Sequence, residues 1–273
     1  MIDVEQTLLA RFPAFKEKSK IVRHSSIGVL KRLAYQESIN RFISEHQHLS
    51  ALEFIDAVFE YFDFSYSISA KDKANIPAEG RLVVIANHPL GTLDGLALLR
   101  LISDVRRDVV ILANDLLTQI EPLGPLLIPY NNMAGGIALK ACREVNRALQ
   151  SDKVVVVFPA GEVSRAGAAG VRDGKWRPGF LQFARRNNAP ILPVHIEAKN
   201  SLLFYSASML FKPLGTCLLP REMFQQRSRT IAFRVGQPIA SDSLSTDKLR
   251  DKTLVKRVKK HVYKIGKNKK PIF

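Results

Sequence analysis

Cysteine is nearly absent. The 273-residue chain has two, Cys142 and Cys217, far apart and in no metal-like spacing. That excludes a disulfide framework, and the two read as buried apolar thiols in a reducing compartment. Long hydrophobic runs are missing as well: no window offers the roughly 18 uncharged apolar residues that a spanning helix needs. The start, MIDVEQTLLARFPAFKEKSK, lacks a basic region followed by an apolar one, so no signal peptide is expected. A cytoplasmic or membrane-surface protein is the expectation. Repeats and low-complexity tracts do not occur. Acidic residues are scarce beside basic ones: 25 Asp+Glu against 41 Lys+Arg give a formal net charge of +16 and a pI near 10.0. Such an excess implies a polyanionic partner, which is nucleic acid, an anionic membrane or an acidic carrier protein. Nucleic acid is disfavoured, because no nucleic-acid motif is present and aromatic residues do not alternate with the basic clusters as stacking platforms would.

What is present is ordinary for a globular chain, with 46% apolar and 24% charged residues. The length suits one large domain, or a domain with a helical appendage. Residues 1–62 read as helical, from the spacing of apolar residues in 27–43 and from LSALEFIDAVFEYF, with Ser50 as its N-cap. FSYSIS alternates like a half-buried strand. From Leu82 onward short Val/Ile-rich runs alternate with helical stretches: strands at 82–86, 108–113, 153–161, 190–198 and 229–239, helices near 92–102, 136–150 and 179–186. This is the pattern of an α/β protein, a mainly parallel mixed sheet flanked by helices. The expected organisation is an N-terminal helical segment at 1–75 packing on an α/β domain at 76–246, then a basic amphipathic C-terminal helix and tail at 247–273.

Ligands of such sheets gather beyond the carboxyl ends of the strands. Asn87-His88 ends one strand and Phe158-Pro159 ends another, so both belong at one edge. Pro89 and Gly91 allow the chain to fold back after His88, and Asp94 follows Thr92, a candidate N-cap, so imidazole and carboxylate can meet. A carboxylate holds an imidazole in one tautomer and leaves its other nitrogen free to take a proton. The plainer alternative is an acidic first-turn residue favouring a helix N-terminus, next to a hydrogen-bonded turn histidine. No nucleophile elbow or candidate cysteine lies nearby, which suggests direct attack by a substrate hydroxyl or amine. No third His or Cys stands at ligand spacing, so no metal is expected.

NHPLGTLDG at 87–95 resembles the N-H-x(4)-D block of the glycerolipid and lysophospholipid acyltransferase superfamily. FPAGEVS at 158–164 is similar to its F-P-E-G-T-R-S block, and WRPGFLQFARRN with APILPVHIEA to its later helix and strand. The resemblance implies transfer of a fatty acyl group to a lyso-lipid acceptor, from acyl carrier protein or coenzyme A thioesters, with no further cofactor. It implies His88 as general base and Asp94 as its orienting partner. Asn87, Gly91, Phe158, Pro159, Gly161, Glu162, Ser164 and Arg165 become the expected substrate-binding positions.

The departures are informative. Five residues, not four, separate His88 from Asp94. Ala160 stands for the usual Glu and Val163 for the usual Arg, while LLIPYNNMAGG at 126–136 lacks the arginine of the family's I-D-R block. The longer block with F-P-A-G resembles the hemolysin-named subgroup that includes bacterial aminolipid acyltransferases; that name denotes no pore-forming activity. The expected acceptor is a lyso-aminolipid, lyso-ornithine lipid among them, or a lysophospholipid. The alternatives are a phosphatidate-making 1-acylglycerol-3-phosphate acyltransferase and, from another class, a non-enzymatic binder of anionic membrane or nucleic acid.

Two segments bear on the membrane. Residues 247–273 hold 11 Lys+Arg against 2 Asp, and Leu254, Val258, Val262 and Ile265 share a helical face. That face either lies on an anionic bilayer at the cytoplasmic side of the cell membrane or packs on the domain. SLLFYSASMLFKPLGTCLLP at 201–220 carries a single charge, Lys212, with Pro213 and Gly215 opposing one straight helix. It reads equally as a membrane-inserted segment or as a core crossover.

Overall fold

The computed structural model describes residues 3–5, 20–130, 139–168, 170–244 and 251–267. The N-terminal helical pattern resolves into α1 (Lys20–Leu33), α2 (Gln36–His46) and α3 (Ala51–Phe62). The helical run expected over 27–43 is broken because Tyr35 takes a left-handed conformation, φ 51°, and stacks on Phe224 with ring centroids 4.0 Å apart. Ser50 caps α3 as expected, and its backbone N–H donates to the Glu53 carboxylate at 2.9 Å, the reciprocal arrangement that satisfies orphan helix donors.

There follow β1 (Ser65–Ile68), a single turn α4 (Ala70–Lys73), β2 (Leu82–Ala86), α5 (Thr92–Ser103), β3 (Val109–Asn114), β4 (Leu127–Tyr130), α6 (Leu139–Gln150), β5 (Val154–Val157), α7 (Gly179–Arg186) and β6 (Ile191–Glu197). Three short helices, α8 (Leu202–Leu210), α9 (Lys212–Cys217) and α10 (Leu219–Gln225), lead to β7 (Thr230–Val235) and α11 (Asp251–Ile265). Strand β4 was not expected. Its four residues fall where the sequence suggested an acceptor-binding block, and Asn131 and Asn132 of that block lie outside the described residues.

The seven strands form one sheet in the order β1-β7-β6-β2-β5-β3-β4. Every neighbouring pair is parallel except β6–β7, which establishes the α/β, mainly parallel class. The unbroken apolar runs follow from cover on both faces. In β2, Leu82, Val84 and Ala86 join one core with Phe54 and Ile55 of α3 and Leu98 and Ile102 of α5. Val83 and Ile85 point the other way, into a core shared with Val145 of α6, Phe180 of α7 and Val258 of α11. Strand β1 is an edge of this same sheet, so the described part of residues 1–75 contributes a strand as well as helices.

Helix α11 is an integral part of the second face. Leu254, Val255, Val258 and Val262 are all buried there. The apolar stripe therefore packs on the domain and is not available to a bilayer; of the two readings of that stripe, the core reading holds.

Candidate active site

The parallel strands β6, β2 and β5 end at one edge of the sheet, and the loop after each contributes to one constellation. Asn87 begins the loop after β2 and behaves as a backbone clamp. Its side chain accepts from Ile196 N at 2.7 Å and donates to Ile196 O at 3.0 Å, extending the β2–β6 ladder by one side-chain pair.

His88 comes next, and its Nδ1 lies 3.0 Å from Asp94 Oδ1. The other Asp94 oxygen accepts from Leu90 N at 2.7 Å. One fully buried carboxylate thus orients the ring and closes the turn. The five-residue spacing is absorbed by Gly91, with φ +105°, which is the N-cap of α5; a side chain at that φ is strained. Thr92, expected as the cap, is instead the first helical residue. An Ala at 91 would place its Cβ 3.4 Å from Val163 Cγ2.

Phe158, after β5, lies flat against the imidazole with centroids 3.9 Å apart and planes 20° from parallel. It lies beside His88 as a wall that fixes the orientation of the ring. Burial pushes the His88 pKa down, but the charges of Asp94 and Asp173 and the Asp94 hydrogen bond outweigh it, so the net shift is upward. The His88 side chain keeps 18% of its surface, enough for its free nitrogen to meet a ligand.

Asp173 was not singled out from the sequence. It is nearly buried, and Oδ1 accepts from His88 N at 3.2 Å and from the Ser164 hydroxyl. Its Oδ2 accepts from Trp176 Nε1 at 2.7 Å. Ser164 N in turn donates to His88 O at 2.7 Å. Both backbone groups of His88 are therefore held by one network. Helix α11 supports it: Asp173 N donates to the Tyr263 hydroxyl at 2.8 Å and Lys259 Nζ to Asp173 O at 2.7 Å. The available signal was that Asp173 is the sole acidic residue between Glu162 and Glu197. Burial drives its carboxyl pKa up against these hydrogen bonds.

The remaining expected positions divide. Ser164 is buried and turned into the Asp173 network. Pro159 is buried, and its carbonyl accepts from Arg177 N at 2.9 Å. Gly161, at φ +65°, makes the turn after β5 and donates its N–H to Phe158 O at 3.0 Å. Glu162 pairs with Lys212 at 2.7 Å and approaches Arg165 at 3.8 Å. Arg165 donates to Ser208 Oγ at 2.6 Å and Thr216 Oγ1 at 3.1 Å, so it fastens helices α8 and α9 to the loop. Val163 is buried against the Gly91 turn. Among the described residues no group of three or more His, Cys, Asp or Glu side chains converges as a metal site.

Two relatives with assigned activities match over most of their length. The lyso-glycine lipid O-acyltransferase of Bacteroides thetaiotaomicron is 31% identical over 246 residues, covering 88% of each chain. That of Phocaeicola vulgatus is 29% identical, covering 88% of this chain and 86% of its own. Among solved structures, the 1-acyl-sn-glycerophosphate (LPA) acyltransferase PlsC of Thermotoga maritima aligns with a TM-score of 0.51 at 17% identity, over 87% of this chain and 95% of that one, a likeness of fold. A family model described as Acyltransferase matches residues 14–270. The non-enzymatic alternative falls on that match, which spans nearly the whole chain: the protein belongs to this acyltransferase family.

Proposed function

We propose that the protein O-acylates a lyso-aminolipid at the cytoplasmic face of the cell membrane, as a peripheral enzyme, using acyl carrier protein or coenzyme A thioesters and no other cofactor. The carrying observation is the His88–Asp94 pair, 3.0 Å apart on the turn between β2 and α5. Asp94, 3.0 Å from Nδ1, favours the tautomer with the proton on that nitrogen, which makes Nε2 the basic one. It takes the proton of the acceptor hydroxyl as that oxygen bonds to the thioester carbonyl carbon. When the tetrahedral intermediate collapses, the carbon–sulfur bond breaks and the imidazolium returns its proton to the departing thiolate, leaving an ester and a free thiol. Gly161 N–H is committed to Phe158, so the oxyanion is assigned to the Gly91 turn, at the positive end of α5.

The choice of acceptor follows from the charges. Val163, where the family resemblance would place an arginine, is buried against the catalytic turn, and Arg165 is occupied by α8 and α9. A phosphomonoester carries close to two negative charges and is best met by bidentate guanidinium groups. Glu162 already pairs with Lys212 and approaches Arg165, so it is not waiting for an acceptor ammonium. An N-acylated amino acid with a hydroxyl on its acyl chain, bearing one carboxylate and no free amine, fits better than lysophosphatidate or a lyso-ornithine lipid. The relatives named lyso-glycine lipid O-acyltransferases support that reading. Side-by-side kinetics with one acyl donor test it: kcat/KM should favour the lyso-glycine lipid, and a clear preference for lysophosphatidate would return the protein to the phosphatidate-making alternative.

A further inference from the structure

We infer that the outer face of α8, continued by Phe211, is the surface that inserts into the bilayer and delivers the acceptor to His88. Surface helices normally turn polar side chains outward. Helix α8 does the reverse. Its inward face is Phe204, Tyr205, Ala207 and Ser208, all buried; its outward face is Leu202, Leu203, Ser206, Met209 and Leu210. Leu202 is 84% exposed, Leu203 51%, Met209 71%, Leu210 86% and Phe211 61%. No charge interrupts residues 200–211, and a contiguous apolar face of this kind marks an interaction site.

Its position in the fold names the partner. The helix is fastened to the loop beside His88 through Arg165, Ser208 and the Glu162–Lys212 pair. Val163, Phe204 and Leu218 form a small core beneath it. Asn200, just before α8, donates to Pro89 O at 3.0 Å, within the catalytic turn. An acceptor with a fatty chain must leave a bilayer to reach that turn, and among the described residues this apolar face adjoins it. Exposed Lys199 and Lys212 bracket the face in sequence, and the chain's charge of +16 favours an anionic bilayer while opposing association of two copies through this face. The other candidate anchor, α11, has its stripe buried in the core.

The inference rests on the membrane-peripheral acyltransferase reading, and the experiment separates the two. The variant Leu202→Ser/Leu210→Ser/Phe211→Ser changes only exposed side chains. Its partitioning onto vesicles of phosphatidylglycerol and phosphatidylethanolamine should fall by about tenfold or more, and acylation of vesicle-borne acceptor should fall with it. Turnover of a short-chain, fully dissolved acceptor should be unchanged, which also verifies that the variant is folded. A second variant, Phe211→Trp, should show blue-shifted emission quenched by brominated lipid; the single native Trp176 is buried and supplies a constant background. Unchanged vesicle binding by the triple variant, or Trp emission insensitive to brominated lipid, overturns the inference. So does a wild-type dimer in sedimentation that becomes a monomer in the triple variant with vesicle binding retained. Loss of all acyl transfer by wild-type protein on the dissolved acceptor, with vesicle binding intact, instead sinks the functional reading and leaves the docking surface standing.

Discussion

At the scale of single residues, burial and two carboxylates act in opposite directions on one imidazole. Because Asp94 and Asp173 outweigh burial, His88 stays protonated to a higher pH than an ordinary histidine. A general base works when neutral, so kcat/KM should rise with pH through an inflection above the ordinary imidazole value. Asp94→Asn removes the largest opposing charge, so the inflection should move down while the rate falls, and a pH–rate profile of the two proteins checks both. Asp173→Asn leaves an oxygen for the His88 N–H and the Ser164 hydroxyl but turns an NH2 group toward Trp176 Nε1. A roughly tenfold lower kcat/KM, the loss of about one hydrogen bond to a charged group, should come with a lower inflection and little change in donor KM. An unmoved inflection would make Asp173 a purely structural residue. That His88, Asp94 and Phe158 come together was legible because each lies in a compact block whose chemistry is local. Asp173 was not, because it acts through the backbone of a residue 85 positions away, a pairing that only the folded chain creates. Ser164 and Glu162 had the right neighbourhood but not the expected orientation, since spacing says nothing about which way a loop side chain turns.

At the scale of elements the positions and order of the strands were legible, β2 to the residue, because a sheet covered on both faces demands uninterrupted apolar runs at β2, β5 and β6; β5 and β7 end four residues before the expected runs do. Strand β4 and the break at Tyr35 were not legible: Leu127–Tyr130 contains a proline and no apolar–polar alternation, and one left-handed residue leaves no period to read. The two apolar helices show a deeper limit. Periodicity reveals that α8 and α11 each have an apolar stripe, yet protein core and bilayer are equally apolar, so only packing tells them apart. Helix α11 is docked tightly: a Cβ on Gly266 would lie 2.2 Å from His195 Nδ1. Gly266→Ala should therefore destabilise the fold by about 1–3 kcal/mol, the usual cost of overpacking, seen as a lower urea midpoint. His195 itself is held neutral by burial, its pKa pushed down to about 4. A lowered folded-state pKa means that its contribution is complete above the unfolded value and is lost as pH falls from about 6.5 toward 4. Between pH 7 and 4.5 the wild type should lose more stability than His195→Asn, by a few kcal/mol at most. Equal losses would show that the site admits a proton freely.

At the scale of the whole molecule the excess of positive charge and the one-sided placement of the site belong together. Three parallel strands deliver their loops to one edge, and the outward apolar face of α8 flanks that edge; on the proposed docking, a cationic protein would meet an anionic surface with its candidate site leading. Salt should weaken vesicle binding, since exposed charges are screened within about 8–10 Å at physiological ionic strength, and the apolar face should leave a residual, salt-insensitive part. The central claim is that His88 removes the proton from a lyso-lipid hydroxyl in a direct transfer from the thioester. It is tested most directly by following thiol release and ester formation together, with a lyso-glycine lipid acceptor, in wild-type and His88→Ala protein of equal thermal stability. Equal yields of thiol and ester are expected in the wild type, with a loss of about 10²–10⁴-fold in both for the variant. Near-wild-type ester formation by a folded His88→Ala protein would contradict it.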